Sequence, residues 1–115
     1  MDKIKSEISW PDFEKVDLRA GTIIKVEDFP EARKPAYKVW VDFGPLGVKK
    51  SSAQITKHYS LDELVGKQVV CIVNFGEKQI GPFISQFLLS GFADESGDVI
   101  LTAVDKKVPN GAQLF

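Results

Sequence analysis

This chain of 115 residues reads as an all-β protein built around a small five-stranded barrel. Three observations point there. Stretches rich in β-branched and aromatic residues, such as YKVWVDFG, recur with a period of two. Turns carrying Gly or Pro separate them. Only two stretches carry helix punctuation, and both are short.

The elements follow in order. SWPD, Ser9 to Asp12, has the spacing of a capping box and opens a short helix ending near Val16, with Pro11 in its first turn. DLRAGTIIKVEDF, Asp17 to Phe29, predicts a long strand bent at Gly21. Pro30 to Ala36 is a loop, and Tyr37 to Gly44 is the second strand. Gly44-Pro45-Leu46-Gly47 turns the chain into a weaker third strand from Val48. Ser60 to Lys67 is a helix, with Ser60 and Glu63 at capping-box spacing and Gly66 as its stop. Gln68 to Phe75 is an apolar buried strand, Ile84 to Phe92 another, and Asp98 to Val104 the last. Three strands, a short helix, then two strands with additions suit an OB-type barrel, where the helix lies between strands 3 and 4. An SH3-like barrel or a small sandwich competes, but neither explains a capped helix at that position as well.

The run from Phe83 to Ser90 poses a question. Phe83, Ser85, Phe87 and Leu89 point one way; Ile84, Gln86, Leu88 and Ser90 point the other. Neither face is cleanly polar. One face is expected in the core and the other in a groove or an interface, with Ser85 and Gln86 offering hydrogen bonds among apolar rings.

Composition sets limits. The length fits one domain over residues 1–115. No apolar run approaches the roughly 20 residues of a membrane-spanning helix, so no membrane insertion is expected. No signal-peptide pattern opens the chain, and a lone Cys71 forms no internal disulfide; both favour a cytoplasmic location. Net charge is −1, but residues 33–78 carry 8 basic and 4 acidic side chains, so positive charge gathers in the middle.

Catalysis fails on inventory. His58 and Cys71 are the only residues of their kinds and lack zinc-type spacing. Cys71, between Val70 and Ile72, reads as a small core residue. No nucleophile elbow or phosphate-binding Gly loop occurs. No enzyme activity, metal or cofactor is expected.

Four blocks, VDLRAGTIIKVEDFPEARKPAYKVWVDFG, KKSSAQITKHYSLDELVGKQVVCIVNF, QIGPFISQFLLSGFAD and VPNGAQLF, together resemble the CsaA family. That family sits within the wider group of tRNA-binding domains, found free-standing and at the C-terminus of some methionyl-tRNA synthetases. The resemblance runs from about Phe13 to Phe115, and its most specific part is KxSSAQITKxY with QIGPF and VPNG. It implies an OB-fold homodimer that binds tRNA and acts as a chaperone on unfolded or export-destined polypeptides, without enzymatic activity. Ser85 and Gln86 match the relatives' Ser-Gln, whereas Phe87 and Leu88 stand where those relatives carry Gly and Met. Asn74 matches the family's Asn after the fourth strand.

Candidate tRNA contacts are Arg33, Lys34, Lys49, Lys50, Ser52, Lys57, Asn74, Lys78, Ser85 and Gln86. Cations track phosphates, and rings stack on bases. Tyr37, Trp40, Phe43, Tyr59 and Phe75 are candidate stackers. Phe43, Phe75, Phe83 and Phe87 are candidate walls of a peptide pocket. The apolar tail, Val108 with Leu114 and Phe115, and Trp10 and Phe13 of the first helix are the expected dimer contact. Two readings stay open: a tRNA-binding module with chaperone activity, or an export chaperone with little or no tRNA binding.

Overall fold

The computed structural model describes residues 3–115. Helix α1 spans Trp10–Glu14. Ser9 Oγ accepts from the Asp12 N–H at 3.2 Å and Asp12 Oδ2 accepts from the Ser9 N–H at 3.3 Å, a reciprocal cap. Helix α2, Leu61–Leu64, starts the same way on Ser60 and Glu63. Gly66 stops it at φ 95°, a left-handed conformation that favours glycine, and its N–H donates to the Ile23 carbonyl at 2.8 Å.

The barrel consists of β1 Leu18–Asp28, β2 Tyr37–Asp42, β3 Val48–Ala53, β4 Gln68–Ile72 and the short β7 Leu88–Leu89. They pair antiparallel in the order β3-β2-β1-β4-β7, a nearly closed OB-fold barrel. Helix α2 lies between the third and fourth strands, as the sequence implied. Two hairpins are added: β5 Lys78–Ile80 with β6 Phe83–Ser85, and β8 Gly91–Ala93 with β9 Val99–Leu101. The C-terminal tail returns along β1. There Ala20 exchanges backbone hydrogen bonds with Gly111 and Ala112 at 2.7 and 2.9 Å, and the Leu114 N–H donates to Leu18 at 2.9 Å.

Alternation builds the core. Tyr37, Val39 and Val41 of β2 point inward and join Ile23, Phe43, Leu64, Val69 and Cys71. Trp40 points the other way and packs with Phe29, Ala36 and Phe83, a second cluster on the outer face of β2. Two sequence expectations change here. The irregularity of β1 falls between Ile23 and Lys25, not at Gly21. Gly21 serves close packing: a Cβ there would meet Val41 at 2.5 Å and the Phe43 ring at 2.8 Å.

The segment Ile84 to Phe92 is not one strand. Its backbone serves β6, β7 and β8, and changes partner from β5 to β4 to β9. The in-out alternation survives nonetheless, with Phe83, Ser85, Phe87 and Leu89 all buried. Likewise β4 ends at Ile72 rather than Phe75, with one further bond, from the Val73 N–H to the Asp17 carbonyl at 2.9 Å, just beyond the paired residues.

Candidate nucleic-acid interface

Strand register assembles a basic face. Lys25 of β1, Trp40 of β2 and Lys50 of β3 lie side by side, with Glu27, Lys38 and Ser52 as the next row. Lys25 Nζ sits 4.6 Å from the centre of the Trp40 ring. Lys50 Nζ lies 5.1 Å from the Phe83 ring, while Lys38 Nζ reaches Phe29 and Phe83 at 5.1 and 5.5 Å. Each such contact is worth about 0.5–1 kcal/mol at an exposed site. The greater effect is geometric. The rings hold three ammonium groups over one outer surface, where Lys25 Nζ also pairs with Glu27 Oε2 at 3.2 Å.

Ser85 and Gln86 border this face and close the barrel beside it. The Gln86 N–H donates to the Lys50 carbonyl at 2.8 Å, and Gln86 Oε1 accepts from the Lys50 N–H at 3.1 Å. Ser85 Oγ accepts from the Ser52 N–H at 2.9 Å and lies 3.2 Å from Ser52 Oγ. Ser51 Oγ donates to the Phe87 carbonyl at 2.8 Å. Side chains thus replace a backbone ladder where the edge of β3 meets the segment 85–87. This answers the question raised by a Ser-Gln pair in an apolar run: its polar atoms satisfy the open edge of a barrel. Ser85 is buried yet lines a pocket, and Gln86 is half-buried.

The other sequence candidates divide. Lys78 is exposed and lines a pocket with Ser52 and Ser85. Lys49 is half-buried opposite Val41, and Arg33, Lys34 and Lys57 are exposed in loops. Asn74 is exposed and clamps two backbone groups. Its Oδ1 accepts from the Asp17 N–H at 3.0 Å and its Nδ2 donates to the Lys15 carbonyl at 2.6 Å. One bond from each end thus fixes the link between α1 and β1. Lys25 and Lys38 escaped sequence reasoning. Lys38 shares the outward period with Trp40, a legible signal, but Lys25 joins them only through cross-strand register.

The pocket, about 440 Å³, is lined by Ile55, Phe75, Ile80, Phe87 and Leu88 among others. Phe75 is 59% exposed and stands at it. Phe87 is buried and packs edge-on against Phe43 at 5.3 Å, so it contributes to the pocket floor from the core side. Phe43 has no exposed surface, and Phe83 is buried between Phe29 and Trp40; neither walls the pocket, contrary to expectation. Among the stackers, Tyr37 is buried and donates its hydroxyl to the Tyr59 carbonyl at 2.8 Å. Burial pushes its phenol pKa up, and Asp28 and Glu63 add to the effect. Tyr59 accepts from the Leu101 N–H at 3.0 Å. Burial also raises the Cys71 thiol well above its ordinary range, which leaves no reactive nucleophile there.

A second apolar surface lies elsewhere. Trp10 is 78% exposed, and with Phe13, Val16, Leu114 and Phe115 it lines a depression of about 370 Å³. Val108 shares a neighbouring one of about 270 Å³ with Leu114 and Phe115.

The family described as a putative tRNA binding domain matches residues 18–113, nearly the whole barrel and tail. The chain belongs to that family. Solved structures agree with the assignment. The chaperone CsaA of Bacillus anthracis superposes with a TM-score of 0.90 at 44% identity, covering 96% of this chain and 100% of that one. The CsaA chaperone protein of Picrophilus torridus gives 0.87 at 45% identity, covering 95% and 100%. The methionine–tRNA ligase of Thermococcus onnurineus is 39% identical over 107 residues, 93% of this chain but 14% of the ligase. The chain thus spans about a seventh of the length of the curated relatives it matches. The family is a binding domain, not a catalytic one.

Proposed function

We propose that the protein is a dimeric, non-enzymatic tRNA-binding module of the CsaA type that also captures unfolded or export-destined polypeptides. The observation that carries the first part is the row of Lys25, Lys38 and Lys50 held over Trp40, Phe29 and Phe83. These cations meet phosphates without reading bases. Their rings are already covered by the protein's own lysines, so recognition runs through backbone and shape. Arg33, Lys34, Lys49, Lys57 and Lys78 extend the same field.

The polypeptide reading rests on the pocket beside that face, where Phe75, Ile80 and Leu88 offer apolar surface next to Lys78. Dimerisation rests on the apolar surface of Trp10, Phe13, Val108, Leu114 and Phe115, which a second copy covers by two-fold symmetry. No helix among the described residues is long and apolar enough to cross a membrane; a cytoplasmic location belongs to this reading.

Fluorescence anisotropy of labelled mixed tRNA, at low and moderate salt, tests it. Binding that weakens steeply with salt and is displaced by an unfolded polypeptide supports one shared surface. Polypeptide binding without tRNA binding at low salt favours the export-chaperone reading alone.

A further inference from the structure

We propose that His58, Asp94 and Asp98 form a binding site for a divalent transition-metal ion of the zinc type, which clasps the loop before α2 to the turn of the β8–β9 hairpin. The proposal is independent of tRNA binding. His58 is the single histidine of the chain, and its Nε2 lies 2.7 Å from Asp94 Oδ2. One ligand atom from each of the three residues lies within 4.8 Å of the others. An ion bonded to nitrogen and oxygen at about 2.0–2.2 Å keeps adjacent ligand atoms roughly 3–3.5 Å apart. A small opening of the His58–Asp94 contact and a closing movement of Asp98 therefore seat it.

The turn prepares these ligands. Asp94 divides its two oxygens. Its Oδ1 accepts from the Ser96 and Asp98 N–H groups, both at 2.9 Å, and so shapes the turn. Its Oδ2 is left facing His58. The Asp94 N–H donates to the Asp98 carbonyl at 2.8 Å, which brings the second carboxylate to the same side. An ion pair with His58 requires one carboxylate; two beside one imidazole place net negative charge there, which a divalent cation balances. Imidazole with carboxylates suits zinc, nickel or copper rather than magnesium or calcium.

Binding takes the lone pair of Nε2, so the proton it carries moves to Nδ1 or to solvent. Local spacing does not reveal this cluster, because His58 and Asp94 are 36 residues apart and only the fold joins them. Ile55 and Val99, close in sequence to the ligands, both line the 440 Å³ pocket. The ion would thus tie two walls of that pocket together.

Calorimetric titration of the tag-free, chelator-stripped full chain with zinc chloride at neutral pH tests the site. The expected result is saturable uptake of one ion per chain, with the imidazole proton resonances of His58 shifting in step. Asp98→Asn should weaken uptake about tenfold or more, and His58→Ala should abolish it. Melting temperatures in chelator establish that the variants fold; should His58→Ala not fold, Asp98→Asn decides. No saturable uptake by the wild type, or an Asp98→Asn variant that binds zinc as tightly, overturns the proposal.

Discussion

Gln86 holds Lys50 at two points, through its backbone N–H at 2.8 Å and its side-chain carbonyl at 3.1 Å. The residue that stitches the barrel is thereby joined to one that carries the basic face. The two bonds fix the Lys50 backbone, and with it the point from which its side chain reaches the Phe83 ring.

Removing that stitch has a defined cost. Gln86→Ala leaves the Lys50 N–H without its acceptor in a half-buried position, a loss of about 1–3 kcal/mol. Thermal melting should show a fall of several degrees, with about 4–8 °C expected per kcal/mol. Gln86→Glu keeps an acceptor oxygen and should lose less. Equal melting temperatures for Gln86→Ala and the wild type would show that the seam contributes nothing.

Two phenylalanines proposed from the sequence for one pocket should behave oppositely. Phe43 is fully enclosed, so Phe43→Ala should cost about 3–5 kcal/mol. Phe75 is largely exposed at the pocket, so Phe75→Ala should change stability by no more than about 0.5 kcal/mol. It should nevertheless weaken capture of an unfolded polypeptide severalfold. Denaturant melts and a competition assay on both variants separate core from surface.

Asp94 predicts an acid dependence. The hydrogen bond from His58, then those from the Asp98 and Ser96 backbones, hold its carboxyl below its ordinary value of 3.8. A lowered folded-state pKa favours the folded protein fully above the ordinary value, and that contribution disappears as pH falls through the lower folded value. Asp94→Asn lacks it. The difference in melting temperature between wild type and Asp94→Asn should therefore shrink as pH falls from about 6 to about 2. A difference constant across that range would contradict this.

The apolar surface of Trp10, Phe13, Leu114 and Phe115 predicts self-association. Sedimentation at micromolar concentration should give a dimer, and Trp10→Asp with Leu114→Asp should give a monomer. A wild type that sediments only as a monomer would count against the dimeric reading.

Much of this was legible in the sequence. Both helix caps, the inward residues of β2 and the position of α2 follow from spacing and alternation. What escaped has a common cause. Alternation from Phe83 to Leu89 reports which side each residue faces, and it was read correctly; it does not report which strand lies alongside, which changes from β5 to β4 and, beyond Leu89, to β9. Lys25 sits 25 residues from Lys50, and only cross-strand register brings the two to either side of Trp40. Asn74 matched a family position, yet both its polar groups are committed to the backbone of Lys15 and Asp17. Local pattern carries burial; cross-strand register decides which charges meet.

The most direct test of the tRNA-binding account is the salt dependence of tRNA affinity in the wild type and in Lys25→Gln/Lys38→Gln/Lys50→Gln. Glutamine keeps much of each stem and removes the charge. The account predicts a steep decline with salt in the wild type, and a logarithmic slope shallower by about 2 in a variant that still melts cooperatively. Identical slopes in the two proteins, or wild-type binding indifferent to salt, would contradict it.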